Sequence, residues 1–200
     1  MLIERMASKV VDYLVKKEMI EDEKEYKDFY QYGAEITISS LLNIVLILLI
    51  GTLSRHLTDS LIYLPLFVLL RRFTGGYHAD TYYKCNIIGC VNFSLIILGK
   101  DLSVRFLSSW LPPIAVGILS VLALSLLCPI ENENKPIEED KKLIYKLLSV
   151  LLGGLYLTTS VFLLVHHADV GFTVLYTLLS VAVSVIKSFT EKRICNEKKN

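Results

Sequence analysis

The chain has 200 residues, 53% of them hydrophobic, and 21 Lys and Arg against 20 Asp and Glu leave a net charge of +1. With a mean hydropathy of +0.51 it is too apolar for an ordinary soluble domain and reads as an all-α polytopic membrane protein. The basic residues divide among several polar connections instead of gathering in one groove, which excludes a nucleic-acid partner.

Residues 1–32 carry Leu2, Ile3, Met6, Val10, Leu14 and Val15 at helical spacing, with Arg5, Lys9, Asp12, Lys16 and Lys17 between them. This predicts an amphipathic helix, too charged to span, at the cytoplasmic face. It would lie on the inner leaflet, touch a substrate or pack on the protein itself. No cleavable signal peptide is apparent. A membrane domain is expected over 33–189 and a cytoplasmic tail over 190–200. Its first span is the uncharged run Ile36 to Leu53, about 27 Å as a helix and close to the thickness of a bilayer's hydrocarbon. Glu35 sits at the inner edge of that run, where a carboxylate is costly unless hydrated or partnered.

The runs 60–70, interrupted by Pro65, and 86–99 would reach only about 16 and 21 Å as helices. Either they extend into the polar residues between them, or they form a re-entrant pair surrounded by protein or a water-filled cavity. A later span begins near Pro112, after an interfacial Trp110, because Pro112-Pro113 suits a helix's first turn. The charged stretch 131–146, with Pro136, is read as a loop. The last two spans, 147–165 and 170–186, form a hairpin through His166-His167-Ala168-Asp169. That turn falls on the face opposite the chemistry proposed below, and no metal site is assigned to it. The expectation is therefore six hydrophobic segments, four clear spans and two short helices.

Basic residues set the orientation. Six fall in 1–32, three in 71–84, four in 131–146 and five in 187–200, leaving only Arg55, Lys100 and Arg105 on the other side. Both termini are thus expected inside a cell membrane.

Between the two short runs lies a polar island from Arg71 to Cys85. It holds the one close His and Cys pair of the chain, His78 and Cys85; Cys90, Cys128 and Cys195 read as small buried or tail thiols. A thiol is a strong nucleophile only as thiolate, and a histidine can remove its proton and later return it to a leaving amine. Gly75 and Gly76 add backbone N–H groups able to approach an oxyanion. On an unbroken helix His78 and Cys85 would share a face but stand about 10.5 Å apart. The spacing therefore predicts a break between or just before them, with Cys85 near the start of the next helix, where the helix dipole favours a thiolate. Glu35 is preferred to Asp80 as the carboxylate orienting His78, since two residues along a helix point Asp80 to another face. Arg71 and Arg72 offer guanidinium forks to carboxylates, or anchors to lipid phosphates.

The run Arg-Arg-Phe-Thr-Gly-Gly-Tyr-His from Arg71 to His78, with Cys85 beyond it, resembles the accessory gene regulator B (AgrB) family. Tyr32-Gly33-Ala34-Glu35-Ile36 and the stretch from Cys128 to Pro136 look like that family too, so the resemblance covers most of the chain. It implies a membrane cysteine endopeptidase with Cys85 as nucleophile and His78 as base. The implied substrate is an AgrD-like propeptide with an amphipathic leader and an acidic tail, which Arg71, Arg72 and Lys135 would bind. The tail is removed, a substrate cysteine captures the acyl group as a thiolactone, and the product serves quorum sensing. The resemblance also implies a homodimer among membrane lipids; no cofactor is expected. Two other classes stay open on the residues alone. One is a small peptide or solute transporter with broken helices at a midmembrane site; the other is a non-catalytic accessory protein.

Overall fold

The computed structural model describes residues 2–17, 19–20, 23–76, 81–107, 109–130 and 138–197, and among these it holds seven α-helices and no strand. α1 (Leu2–Lys16) is a helix as expected, but Met6 and Val10 of the apolar stripe read from its sequence are exposed, and the neighbouring Ala7 and Val11 are the residues buried against α2. α2 (Lys24–Leu53) starts well before the apolar run that was read as the first span.

The two short runs are longer helices than their apolar cores. They become α3 (Leu57–Thr74) and α4 (Tyr82–Phe106), 18 and 25 residues, so extension into the polar island prevails over the re-entrant pair. The buried charges Asp59 and Lys100 enter these helices because each finds a partner. Lys100 Nζ lies 2.6 Å from Asp59 Oδ2, and Asp59 Oδ1 accepts from Thr173 Oγ1 at 2.6 Å. His56 Nδ1 lies 2.8 Å from the same Asp59 Oδ2.

α5 (Leu111–Leu127) begins where Trp110 and the proline pair place it, and it is the shorter apolar helix. α6 (Glu139–His166) takes up half of the stretch read as a loop, its first turns carrying the pairs Glu138–Lys141 at 2.7 Å and Glu139–Lys142 at 2.5 Å. α7 (Ala168–Glu197) follows after a single residue, His167, and stays helical through most of the expected tail. Among the described residues, four helices are long and apolar enough to cross a membrane: Tyr26–Leu53, Tyr82–Phe106, Glu139–His166 and Ala168–Ile194. The chain is a multi-pass membrane protein, and its long spans include α4, not α5.

α7 is the axis of the bundle. Of its apolar window 56% is buried, against 17–28% for the other three spans, and it packs on α3, α4, α5 and α6. Leu178, Val181, Ala182 and Val185 join Leu70 of α3, Leu124 of α5 and Tyr156 of α6 in the main core. The Tyr156 hydroxyl donates to the Leu66 carbonyl at 3.1 Å, which satisfies it inside an apolar layer. A second core joins Ile47, Tyr63, Phe93 and Ile96 of α2, α3 and α4.

Pairings across the bundle fix its directions. Asp59 meets Lys100 while Arg71 lies in electrostatic range of Cys85, so α3 and α4 run antiparallel. Asp59 meets Thr173 and Arg71 meets Ser184, so α3 and α7 run parallel. The end of α3 and the start of α4 therefore lie at one end of the bundle, and the Asp59–Lys100 pair lies at the other.

Candidate functional site

α3 ends at a glycine turn that its surroundings require. Gly75 has φ 69° and ψ −146° and Gly76 has φ 126°, conformations that a residue with a Cβ resists. At Gly75 a Cβ would also run into the carbonyl oxygen of Ile130, because Gly75 and Ile130 form an isolated parallel bridge, with the Ile130 N–H donating to the Thr74 carbonyl at 3.0 Å. At Gly76 a Cβ would come within 2.8 Å of Arg71 Nη1. The turn thus ties the end of α3 to the end of α5 and makes room for a guanidinium. The Gly75 N–H donates to the Arg71 carbonyl at 3.1 Å and so caps α3.

Beyond the turn, residues 77–80, which include His78 and Asp80, lie outside the described residues, as do residues 131–137 with Lys135. α4 then begins at Tyr82. Thr81 is its N-cap: its backbone is extended, its side chain accepts from the Lys84 N–H at 3.4 Å, and its carbonyl accepts from the Cys85 N–H at 3.0 Å. Cys85 is therefore the fourth residue of a new helix, after a break, and its side chain is half-buried.

The polar residues around it are placed by three helices. Arg71, half-buried on the last turn of α3, donates from Nη1 to Ser184 Oγ of α7 at 2.5 Å and stacks its guanidinium over Phe67 at 5.7 Å. It lies in electrostatic range of both the Cys85 thiol and the Tyr63 phenol. Arg72, on the next position around the helix, is exposed. Glu35 of α2 is half-buried and accepts twice, from Gln31 Nε2 and from the Tyr82 hydroxyl, both at 3.0 Å. Among the described residues the site thus brings Arg71 near Cys85 and places Glu35 on the first residue of the cysteine's helix. Cys90 is half-buried farther along α4 and Cys128 is buried at the end of α5.

Sequence reasoning missed Ser184, Tyr82 and Asn86. Ser184 lies 113 residues from its partner Arg71. Tyr82 and Asn86 offered a signal, because Gln31, Glu35, Ser39 and Asn43 recur every four residues along one line of α2, and such a stripe needs polar partners.

A family model described as accessory gene regulator B matches residues 7–190. A protein named as AgrB-like from Clostridium perfringens (strain SM101 / Type A) is 26% identical over 185 residues, which covers 90% of this chain and 84% of the relative. A second AgrB-like protein, from C. perfringens (strain 13 / Type A), is 27% identical over 140 residues, 68% of this chain and 64% of that relative. No solved structure matches the chain.

Proposed function

Because the chain belongs to the accessory gene regulator B family, a family of quorum-sensing peptide processing, we propose that it is a cysteine endopeptidase for an AgrD-like propeptide, with its site toward the cytoplasm. The observation that carries this reading is the break before α4, which puts Cys85 in the opening turns of a helix within electrostatic range of Arg71. A positive helix end and a guanidinium are the surroundings in which a thiolate is used.

His78 takes the proton from Cys85 Sγ, and the thiolate attacks the carbonyl carbon at the cleavage point of the propeptide. The tetrahedral intermediate collapses with loss of the C–N bond; His78 delivers its proton to the leaving amine and the acidic tail departs. The remaining acyl group is a thioester on Cys85. A cysteine thiol of the substrate gives its proton to His78 and attacks that thioester. Cys85 leaves as thiolate, recovers the proton, and a thiolactone is released. One thioester replaces another, so the acyl activation that hydrolysis would dissipate is retained, and exclusion of water favours capture.

Glu35 supports the geometry from α2, Gly75 and Gly76 give the turn its path, and Arg71, Arg72 and Lys135 receive the acidic tail. The test is propeptide cleavage by the full chain in liposomes. Cys85→Ala and His78→Ala should each abolish cleavage while the propeptide still binds; cleavage persisting in Cys85→Ala defeats the proposal.

A further inference from the structure

Resting on the peptidase reading, we propose that the polar seam between α2 and α4 positions Cys85, with Tyr82 and Asn86 as its positioning residues. On α2 the side chains of Gln31, Glu35, Ser39 and Asn43 stand one above another at four-residue intervals. α4 answers with Tyr82 and Asn86, also four apart. The Tyr82 hydroxyl donates to Glu35 Oε2, and Asn86 Oδ1 accepts from Ser39 Oγ at 3.3 Å and from Asn43 Nδ2 at 3.2 Å. Asn43 Nδ2 also reaches the Asn86 carbonyl at 3.4 Å. Asn86 and Ser39 are each 6% exposed, so the bond between them is made away from solvent.

Gly89 supplies a second, independent observation. A Cβ at that position would stand 2.5 Å from Asn43 Nδ2, so a larger residue there would push the amide from its place across α4. Burying amides and hydroxyls is unfavourable unless they are partnered, and between helices in a membrane, where lipid tails are as apolar as leucine, partnered polar groups hold the helices together. What polar partners add is direction. Cys85 comes three residues after one anchor and one before the other, so the seam fixes both the rotation and the depth of the turn that carries the thiol. Displacing a reacting atom by about 1 Å costs on the order of 10²-fold in rate.

The experiment uses the full chain in liposomes with two readouts: substrate-free alkylation of Cys85 by a soluble maleimide, resolved by peptide mapping, and single-turnover propeptide cleavage. Tyr82→Phe and Asn86→Leu are compared with Asn92→Leu, which removes a similar bond farther along α4, from Asn92 Nδ2 to the Tyr63 hydroxyl at 3.0 Å. The seam variants should alkylate about 3-fold faster and cleave about 10-fold slower at an unchanged half-saturating propeptide concentration, with Asn92→Leu like the wild type. Wild-type values in both seam variants, or the same change in Asn92→Leu, overturn the proposal. If the wild type cleaves nothing while the seam variants still change alkylation, the peptidase reading fails and the seam's hold on Cys85 stands.

Discussion

The two ends of the α3–α4 pair treat charge in opposite ways. At one end Asp59 and Lys100 are buried and paired at 2.6 Å, with His56 and Thr173 closing the remaining positions around the carboxylate. At the other, Arg72 is exposed, Arg71 is held by Ser184 under a glycine turn, and a half-buried thiol opens the next helix. The first arrangement turns its charges on each other and fastens α3, α4 and α7 together. The second, on the proposed function, would present charge and a nucleophile to a substrate. On that proposal the ionisable side chains are structural at one end and chemical at the other.

Breaking each end should separate the two roles. The largest effect is expected at the chemical end, where Cys85→Ser should remove cleavage entirely and leave the thermal unfolding midpoint in detergent unchanged; loss of folding would assign Cys85 to packing. At the paired end, Lys100→Met leaves a buried carboxylate without its cation and should lower stability by roughly 3–5 kcal/mol, read as a drop in that midpoint. Combining it with Asp59→Leu should restore most of the loss, since an apolar pair needs no compensation there. Gly75→Ala should come next, at about 1–3 kcal/mol for a strained backbone, with the clash at Ile130 adding to it; a fully stable variant would mean that the turn can relax. The smallest effect is expected at exposed Arg72. Its reversal to Glu should weaken processing of an acidic-tailed propeptide by up to about 5-fold, the worth of an exposed charge pair, and spare a neutral-tailed one. Equal losses on both substrates would remove Arg72 from tail recognition.

How much of this was legible in the chain depended on how local the signal was. The helix α1, the start of α5 at its proline pair, the α6–α7 hairpin and the break before Cys85 follow from apolar periodicity and turn chemistry within a few residues. Helix ends inside polar stretches were hidden, because what admits Lys100 into α4 is Asp59, 41 residues away. The charged start of α6 looked like loop for a related reason: its Glu and Lys side chains pair along the helix at i, i+3, so charge there supports helix. At the site, the new helix start that carries Cys85 was readable from spacing and glycines. The α2 stripe was visible, but its partners on α4 and the Arg71–Ser184 bond were not, since both are made by packing between distant segments.

The central claim is that Cys85 forms a covalent acyl intermediate, and intact-protein mass spectrometry reads it directly. The purified chain in liposomes is mixed with a candidate propeptide and compared with Cys85→Ala. An adduct with the mass of the tail-less propeptide, released by hydroxylamine and absent from the variant, is the predicted result. An intact propeptide with no adduct, where binding is demonstrated, would contradict it.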